Sequence, residues 1–395
     1  MLFEFTGKLL SRRICKLGVL IGCYLVIFLG GFGQEMTPWE SGEELVFRIS
    51  EKVDHRILGY AVSSIQESRE ESELLWRIEF RAMLNEISHS IVDVNQKDFL
   101  PVYSKFYSPS MGEIESSYED GGVSVDRRPG QDRVPLSSRE NTYSIYQSFY
   151  LLRELPVEEN YQTELYMVNP RKPGNQVPAV MKIVEMEHLD TPLGRVFCYR
   201  VDALIDDQRR SFWFGTDVHR YLYRVEDESG LTLELIDIRN GTDQEQVVPF
   251  GKDENYSLVL ESGWYVFPKP SPKGLLQTHS WVILSTHADA DISISQYDKF
   301  GELSDVVAAS EAWLSKNKKR FKVLESSRIT EEFEEFSIQS FIGTYKDGRR
   351  ERSLLNCVIQ SDLHLFILTV DDAHSFSDEY LEQINAIIRG IRRSE

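Results

Sequence analysis

Four residues in the C-terminal half of the chain are of types that bind metal ions. His279 is followed by His287, Asp289 and Asp291, the last three at alternate positions. In an extended chain, alternate side chains point to the same side, so an imidazole and two carboxylates would face one point. The same spacing is typical of a solvated strand end, and spacing alone does not define a ligand geometry. We therefore predict no metal site.

A second group of titratable residues is the acidic cluster around Phe333. Glu331, Glu332, Glu334 and Glu335 could in principle pair as general acid and general base. That chemistry needs burial that separates the pKa values of the two carboxyls, and nothing in the surrounding sequence indicates burial. A solvated hairpin tip is the preferred interpretation.

The common catalytic signatures are absent from the sequence. It contains no Gly-x-Ser-x-Gly elbow, no P-loop, no Gly-x-Gly-x-x-Gly and no His-Glu-x-x-His. We therefore predict no catalytic residues, no cofactor and no enzymatic activity. A metal-dependent hydrolase is kept as an alternative.

Aromatic side chains in strand-like runs are the best candidates for a binding surface. Strands favour aromatic residues and cores need them, so an ordinary β core explains the same pattern. Both interpretations hold together if an apolar ligand lies against side chains that face the core. The predicted ligand-binding residues are Trp76, Phe80, Tyr199, Phe212, Trp213 and Phe214.

The elements that position these residues are predicted to be antiparallel strands. From Glu44 to Ile238 the hydrophobic period is two, which indicates strands with one face in a core and one in water. The spacing of turn signals predicts a meander of about eight to eleven strands. One helix interrupts it, with Asn141 as N-cap and Pro156 at its end. We expect this helix to cover the concave side of an open β half-barrel.

The hydrophobic pattern lapses over residues 241–254, which predicts a linker. Residues 35–240 form the β-rich domain and 255–395 a smaller one. In the second domain, short strands precede a helix over Leu303 to Lys318, four strand-like runs follow, and a terminal helix ends the chain. This order predicts an α/β/α sandwich with an antiparallel sheet, so the whole chain is assigned to the α+β class.

Residues 1–34 have the order of a secretory signal. A basic stretch precedes the uncharged run from Leu17 to Phe32, and small residues at Gly31 and Gly33 favour cleavage. An uncleaved membrane anchor through residues 17–32 and lipidation at Cys23 are the alternatives. Each of these places the protein outside the cytoplasm, in the periplasm or on the outer face of the envelope.

Charge excludes one class of partner. The net charge is −19, and it becomes −22 without residues 1–34, because that segment carries four basic residues and one acidic residue. Nucleic-acid binders usually present a basic surface, so nucleic acid is not expected as a partner. Cys198 and Cys357 both lie in apolar runs and are predicted to be buried and unpaired.

Two resemblances cover most of the chain. Residues 41–238, through Gly42 to Phe47, the turn Thr191 to Gly194, Phe212 to Phe214 and Tyr221 to Arg224, resemble bacterial envelope proteins built on the open half-barrel of lipoprotein carriers. Residues 256–391, through Ser257 to Leu260 and Gly263-Trp264, resemble the PsbP-like fold of non-catalytic docking modules.

The first resemblance implies a concave apolar surface for a lipid-like or acyl ligand, and the second implies a protein partner. We therefore expect a non-catalytic exported protein whose first domain binds an apolar ligand or lipidated partner and whose second docks a protein. The alternative is a structural or assembly adaptor with a filled core.

Overall fold

The computed structural model describes residues 37–70, 73–84, 86–119, 122–126, 134–137, 142–169, 176–205, 207–241, 245–251, 254–269, 280–285, 291–299, 301–347, 350–372 and 376–394. The chain divides into a unit of residues Met1–Pro38 and a compact unit of residues Trp39–Glu395. The predicted signal segment, with Cys23, lies outside the described residues. The strands and helices that the structure describes all belong to the second unit.

The larger sheet of this unit has fifteen strands. Its first eight are β1 (Glu43–Glu51), β2 (Ile57–Glu70), β3 (Glu73–Met83), β4 (Ile87–Asn95), β5 (Pro101–Ser108), β6 (Gly112–Glu119), β7 (Gly122–Asp126) and β8 (Val134–Ser137). The other seven are β9 (Thr142–Ser144), β10 (Gln162–Val168), β11 (Gln176–Thr191), β12 (Gly194–Ile205), β13 (Gln208–Gly215), β14 (Leu222–Asp227) and β15 (Leu231–Asn240).

The fifteen strands form two meanders joined in the middle of the sheet. β1 to β8 follow one another outward on one side, β15 back to β9 on the other, and β1 pairs with β15 at the centre. Neighbouring strands of this sheet pair antiparallel, except that β9 pairs parallel with β10. The sheet is therefore open, with β8 and β9 at its edges, and it has more strands than the eight to eleven expected from turn signals.

A short helical segment between β9 and β10 lies against the inner face of this sheet. It consists of a 3-10 turn at Ile145–Gln147, the helix α1 at Ser148–Leu151 and a second 3-10 turn at Leu152–Glu154. We call residues 145–154 the plug. Its N-cap is Ser144, which forms a capping box with Gln147. The expected N-cap, Asn141, lies outside the described residues, and residue 142 already belongs to β9.

The remainder of the chain forms two further sheets and two helices. A three-stranded sheet contains β16 (Gln246–Phe250), β17 (Tyr256–Leu260) and β26 (Ile391–Arg393). The other sheet contains β18 (Trp264–Pro268), β19 (Ser280–Ser285), β20 (Asp291–Asp298), β21 (Lys322–Val323), β22 (Ile329–Phe333), β23 (Phe336–Asp347), β24 (Arg350–Gln360) and β25 (His364–Asp372). The helices are α2 (Leu303–Asn317) and α3 (Asp378–Arg389), and a 3-10 turn spans Glu325–Ser327.

The two helices bury different faces of the second large sheet. Val306 and Leu314 of α2 share a buried cluster with Phe341 of β23. Ile384 of α3 instead belongs to the cluster that contains Ile359 of β24. Ile359 pairs with Ile338 of β23, which is three residues from Phe341 on the same strand. Ile338 and Phe341 therefore face opposite sides of the sheet, and the two helices lie on opposite faces. The protein is thus α+β and mostly β, as predicted.

An apolar contact joins the outer face of the first sheet to the second large sheet. Tyr60 of β2 stacks on Phe267 of β18 with ring centroids 4.3 Å apart. The same cluster contains Val46, Met83 and Val282. The predicted linker 241–254 contains strand β16, which pairs with β17.

Candidate ligand pocket of the fifteen-stranded sheet

All six predicted binding residues belong to the main core cluster or pack against it, and five of them face the side of the sheet that the plug covers. Tyr199, Phe212 and Phe214 are fully buried on neighbouring strands, with Tyr199 and Phe214 stacked at 5.6 Å. Trp76 packs edge-on against Trp39, at 6.3 Å between ring centroids. Phe80 is half-buried and packs against Phe149 of the plug.

Trp213 lies on the other face of its strand. It alternates with Phe212 and Phe214, and its register partners are Arg200 and Arg224. Its indole Nε1 donates a hydrogen bond of 2.8 Å to Glu187. The structure therefore does not bring Trp213 together with the other aromatic residues at the plug.

The plug packs its aromatic side chains against several strands of the sheet. Phe149 contacts three strands at once, with ring centroids 6.3 Å from Phe47, 5.5 Å from Phe80 and 6.3 Å from Phe212. Tyr146 stacks on Phe106 of β5 at 5.4 Å. The central aromatic residues Phe47, Phe212 and Phe106 are consequently packed against the plug.

A buried ion pair anchors the plug at its C-terminal end. Arg153 is 1% exposed and donates from Nη2 to Glu43 Oε2 at 3.0 Å, while Glu43 at the start of β1 is 5% exposed. Arg153 Nε also donates to the carbonyl of His219 at 3.0 Å. The guanidinium lies 5.3 Å from the ring centroid of Tyr150. Burial raises the pKa of the Tyr150 hydroxyl well above its ordinary value, so this group stays neutral.

The opposite end of the plug is less tightly filled, and a cavity of about 450 Å³ lies there. We call it the end pocket. Its apolar lining residues are Phe80, Met111, Ile145, Tyr146 and Phe149. Its polar lining residues are Ser90, Ser148, Asn169, Gln208 and Arg210. The volume is within the range of about 300–1,000 Å³ that is usual for small-molecule sites.

Among the described residues that line the end pocket, one is charged, Arg210. Arg210 Nη2 donates to Gln208 Oε1 at 3.1 Å, so the two β13 side chains lie together at the polar side of the pocket. An arginine is always protonated, and its planar donors suit carboxylate and phosphate oxygens. The pocket therefore combines an apolar wall with a cation.

Phe80 is the only predicted binding residue that lines the end pocket. The lining residues that sequence reasoning missed come from strands β4 and β13, from the loops at Met111 and Asn169, and from the plug, whose position no local pattern reveals. Arg210 had a usable signal, because Gln208, Arg210 and Phe212 occupy every second position of β13 and so face the same side of the strand. Met111, in the turn between β5 and β6, had none.

Other predicted features have separate outcomes. His279, His287 and Asp289 lie outside the described residues, as does the side chain of Asp291; among the described residues no group of three His, Cys, Asp or Glu could hold a metal ion. The acidic cluster is at a hairpin tip, since Phe333 pairs with Phe336 across Glu334 and Glu335.

Both predicted structural cysteines are buried and unpaired, as expected. Burial raises the pKa of the Cys198 and Cys357 thiols to about 12, so neither is a reactive thiolate at neutral pH. In the part of the chain that the structure describes, no helix has both the length and the apolar composition to cross a membrane.

Comparison with known proteins gives one family match and several distant structural likenesses. Residues 52–235 match the model of a protein family of unknown function (DUF3108). No curated protein matches the sequence. The match covers most of the fifteen-stranded sheet, including Phe80 and Arg210.

Among solved structures, the chain is similar to a β-barrel-like protein with the domain of unknown function DUF1849 from Brucella abortus, with 10% identity, 50% of this chain and 97% of that chain covered, and a TM-score of 0.35. It is similar to cyanobacterial PsbP from Synechocystis sp. PCC 6803, with 11% identity and a TM-score of 0.31. That similarity covers 40% of this chain and 97% of that chain. It is also similar to LpqN of Mycobacterium tuberculosis, a protein involved in cell envelope biogenesis, with 16% identity and a TM-score of 0.23. That similarity covers 37% of this chain and 87% of that chain.

Proposed function

We propose that this protein is an exported, non-catalytic binding protein that holds one acyl chain in the end pocket. The observation that carries the proposal is the cavity of about 450 Å³ beside Phe80 and Phe149 on the inner face of the first sheet. In this proposal the sheet acts as an open half-barrel, and the plug closes all of it except this end.

The apolar wall supports an alkyl ligand. Phe80, Ile145 and Phe149 offer aromatic and aliphatic surface without a charged group between them. Each buried CH₂ contributes about 0.8 kcal/mol, so ten of them contribute roughly 8 kcal/mol before the costs of ordering the ligand. This gross value corresponds to a dissociation constant on the order of micromolar, and the ordering costs make the measured binding weaker than that.

The polar side of the pocket supports an anionic head group. Arg210, with Gln208 and Asn169 nearby in the lining, can donate several hydrogen bonds to a carboxylate at one end of the chain. A fatty acid therefore matches both halves of the lining better than an alkane or an alcohol does.

Export rests on the sequence of residues 1–34, which has the basic and apolar regions of a secretory signal. The docking role expected of residues 255–395 stays a prediction. The adaptor alternative draws support from the packed interior, because Trp76 and Phe214 contact protein and not a trough. The end pocket distinguishes the two functions, since an adaptor does not need it.

The proposal is tested with the purified protein and a fluorescent fatty acid, 11-(dansylamino)undecanoic acid, displaced by unlabelled dodecanoic acid or dodecanol. Replacing Arg210 with glutamine should weaken dodecanoic acid about tenfold and leave dodecanol unchanged, because only the acid uses the guanidinium charge.

Arg209→Gln is the matched control, since Arg209 is the preceding residue on the exposed face of the same strand. It should change neither affinity. Absence of fatty-acid binding at about 100 µM, or an equal loss in both variants, contradicts the proposal.

A further inference from the structure

A second and larger cavity lies on the other side of the molecule from the plug. It has a volume of about 1020 Å³. It lies between the β3–β4 hairpin of the first sheet and α2, over one face of the second large sheet. We call it the outer groove. Its floor is the face of β20, β25 and β24 between the hairpin and α2, and this face carries polar residues.

The floor of the outer groove is a row of hydroxyl and amide groups. Ser293, Thr369 and Asn356 are register partners across three adjacent strands, so their side chains lie side by side. Asn356 Nδ2 donates to Thr369 Oγ1 at 3.4 Å, and Ser310 of α2 donates to Asn356 Oδ1 at 3.1 Å. Ser293 and Thr369 are only half-buried, so their hydroxyls can be reached from the groove.

The walls of the groove are apolar. Met83, Leu84 and Ile87 of the hairpin form one wall, and Trp313 and Leu314 of α2 contribute to the other. Trp313 is 60% exposed, although the next residue of the same helix, Leu314, is buried. Such exposure is unusual for so large an apolar side chain. An indole face thus stands free beside the row of hydroxyls.

The ionised groups that line the groove largely neutralise one another. Lys318 Nζ lies 3.0 Å from Asp371 Oδ2, and Arg56 is paired with Glu51. Lys269 and Glu86 add one charge of each sign to the lining. Among the described residues of the lining, positive and negative charges thus nearly balance, which favours a neutral ligand over a highly charged one.

We infer that the outer groove binds a neutral oligosaccharide, with one sugar ring stacked on Trp313 and its hydroxyls bonded to Thr369 and Ser293. A sugar ring has an apolar face of C–H groups and a rim of hydroxyls that both donate and accept, which matches an exposed indole beside a hydroxyl and amide floor. An alkyl chain fits less well, because it would remove these polar groups from water without replacing their hydrogen bonds. This inference does not depend on the acyl ligand of the end pocket.

The test is isothermal titration calorimetry of the purified protein with four neutral probes: cellotetraose, chitotetraose, maltotetraose and mannotetraose. At least one should bind with a dissociation constant below about 1 mM. Trp313→Ala should weaken it about tenfold by removing the stacking surface. Thr369→Val, which keeps the side-chain shape and removes the hydroxyl, should weaken it about fivefold.

Phe197→Ala is the matched control, because Phe197 is an aromatic residue, 43% exposed, on β12 and outside the groove lining. It should leave the oligosaccharide affinity unchanged. The inference is overturned if none of the four probes binds at about 10 mM, or if Trp313→Ala and Phe197→Ala lose affinity equally. Loss of fatty-acid binding in Trp313→Ala, with no probe bound, would assign the groove to an acyl ligand and also overturn it.

Discussion

Replacing Arg153 with alanine should lower the free energy of unfolding by about 3–5 kcal/mol. The reason is that Glu43, 5% exposed, would keep a buried carboxylate without its cation, and the carbonyl of His219 would lose its donor. The loss of the guanidinium would also remove its contact with the Tyr150 ring. Urea denaturation of the purified variant, followed by circular dichroism, measures the change.

Two further variants separate the ion pair from the space that the side chain fills. Arg209→Ala, at an exposed arginine, should cost less than about 0.5 kcal/mol. The double variant Arg153→Met with Glu43→Leu should recover part of the loss, because it leaves no unpaired buried charge. A loss below about 1 kcal/mol for Arg153→Ala would show that the plug is not anchored by this pair.

Placing tryptophan at position 111 should block the end pocket and weaken fatty-acid binding by at least about 30-fold, which corresponds to roughly 2 kcal/mol. Met111 lines the pocket and is 37% exposed, so the larger ring has room at the rim but occupies volume that the ligand needs. Displacement of 11-(dansylamino)undecanoic acid measures the affinity.

Met186→Trp is the matched control. Met186 is also an exposed methionine, on β11, and it does not belong to the lining of the end pocket. Both variants should keep the wild-type urea midpoint, because both positions are at the surface. Unchanged fatty-acid affinity in Met111→Trp would mean that the ligand lies elsewhere.

The strands of the first sheet were largely predictable because their faces differ in polarity. In β3, Trp76, Ile78 and Phe80 alternate with Arg77 and Glu79, and the structure places the apolar set in the main core. The number of strands was underestimated. Turn signals do not show that residues 101–126 continue the meander for three more strands, since β6 and β7 are short and rich in serine and glycine.

The candidate site was less predictable than the strands. Three consecutive aromatic residues at positions 212–214 leave open which of them face the core, and Trp213 lies on the other face with Glu187. The plug decides how much of the interior is filled, and its position depends on contacts distant in sequence, such as Arg153 with Glu43. Periodicity within one segment cannot reveal such contacts.

In residues 255–395, too, elements set by local sequence spacing were predictable and those set by contacts distant in sequence were not. The helix expected from Leu303 to Lys318 is present as α2, because its apolar spacing is local. The spacing of Ile384, Ile387 and Ile391 predicts that the terminal helix reaches Ile391. The helix instead ends at Arg389, and Ile391 lies in β26, where it pairs with Leu258 of β17. Gly390 lies between the two elements, and a Cβ there would meet the carbonyl oxygen of Val259 at 2.4 Å.

The most direct test of the acyl-binding proposal is a crystal structure of the protein soaked with 12-bromododecanoic acid, with the bromine located by its anomalous signal. The account predicts one bromine site against Phe80 and Phe149, with the carboxylate within hydrogen-bond distance of Arg210. Bromine bound only outside the end pocket, or no bound bromine at a ligand concentration well above the dissociation constant measured in solution, would contradict it.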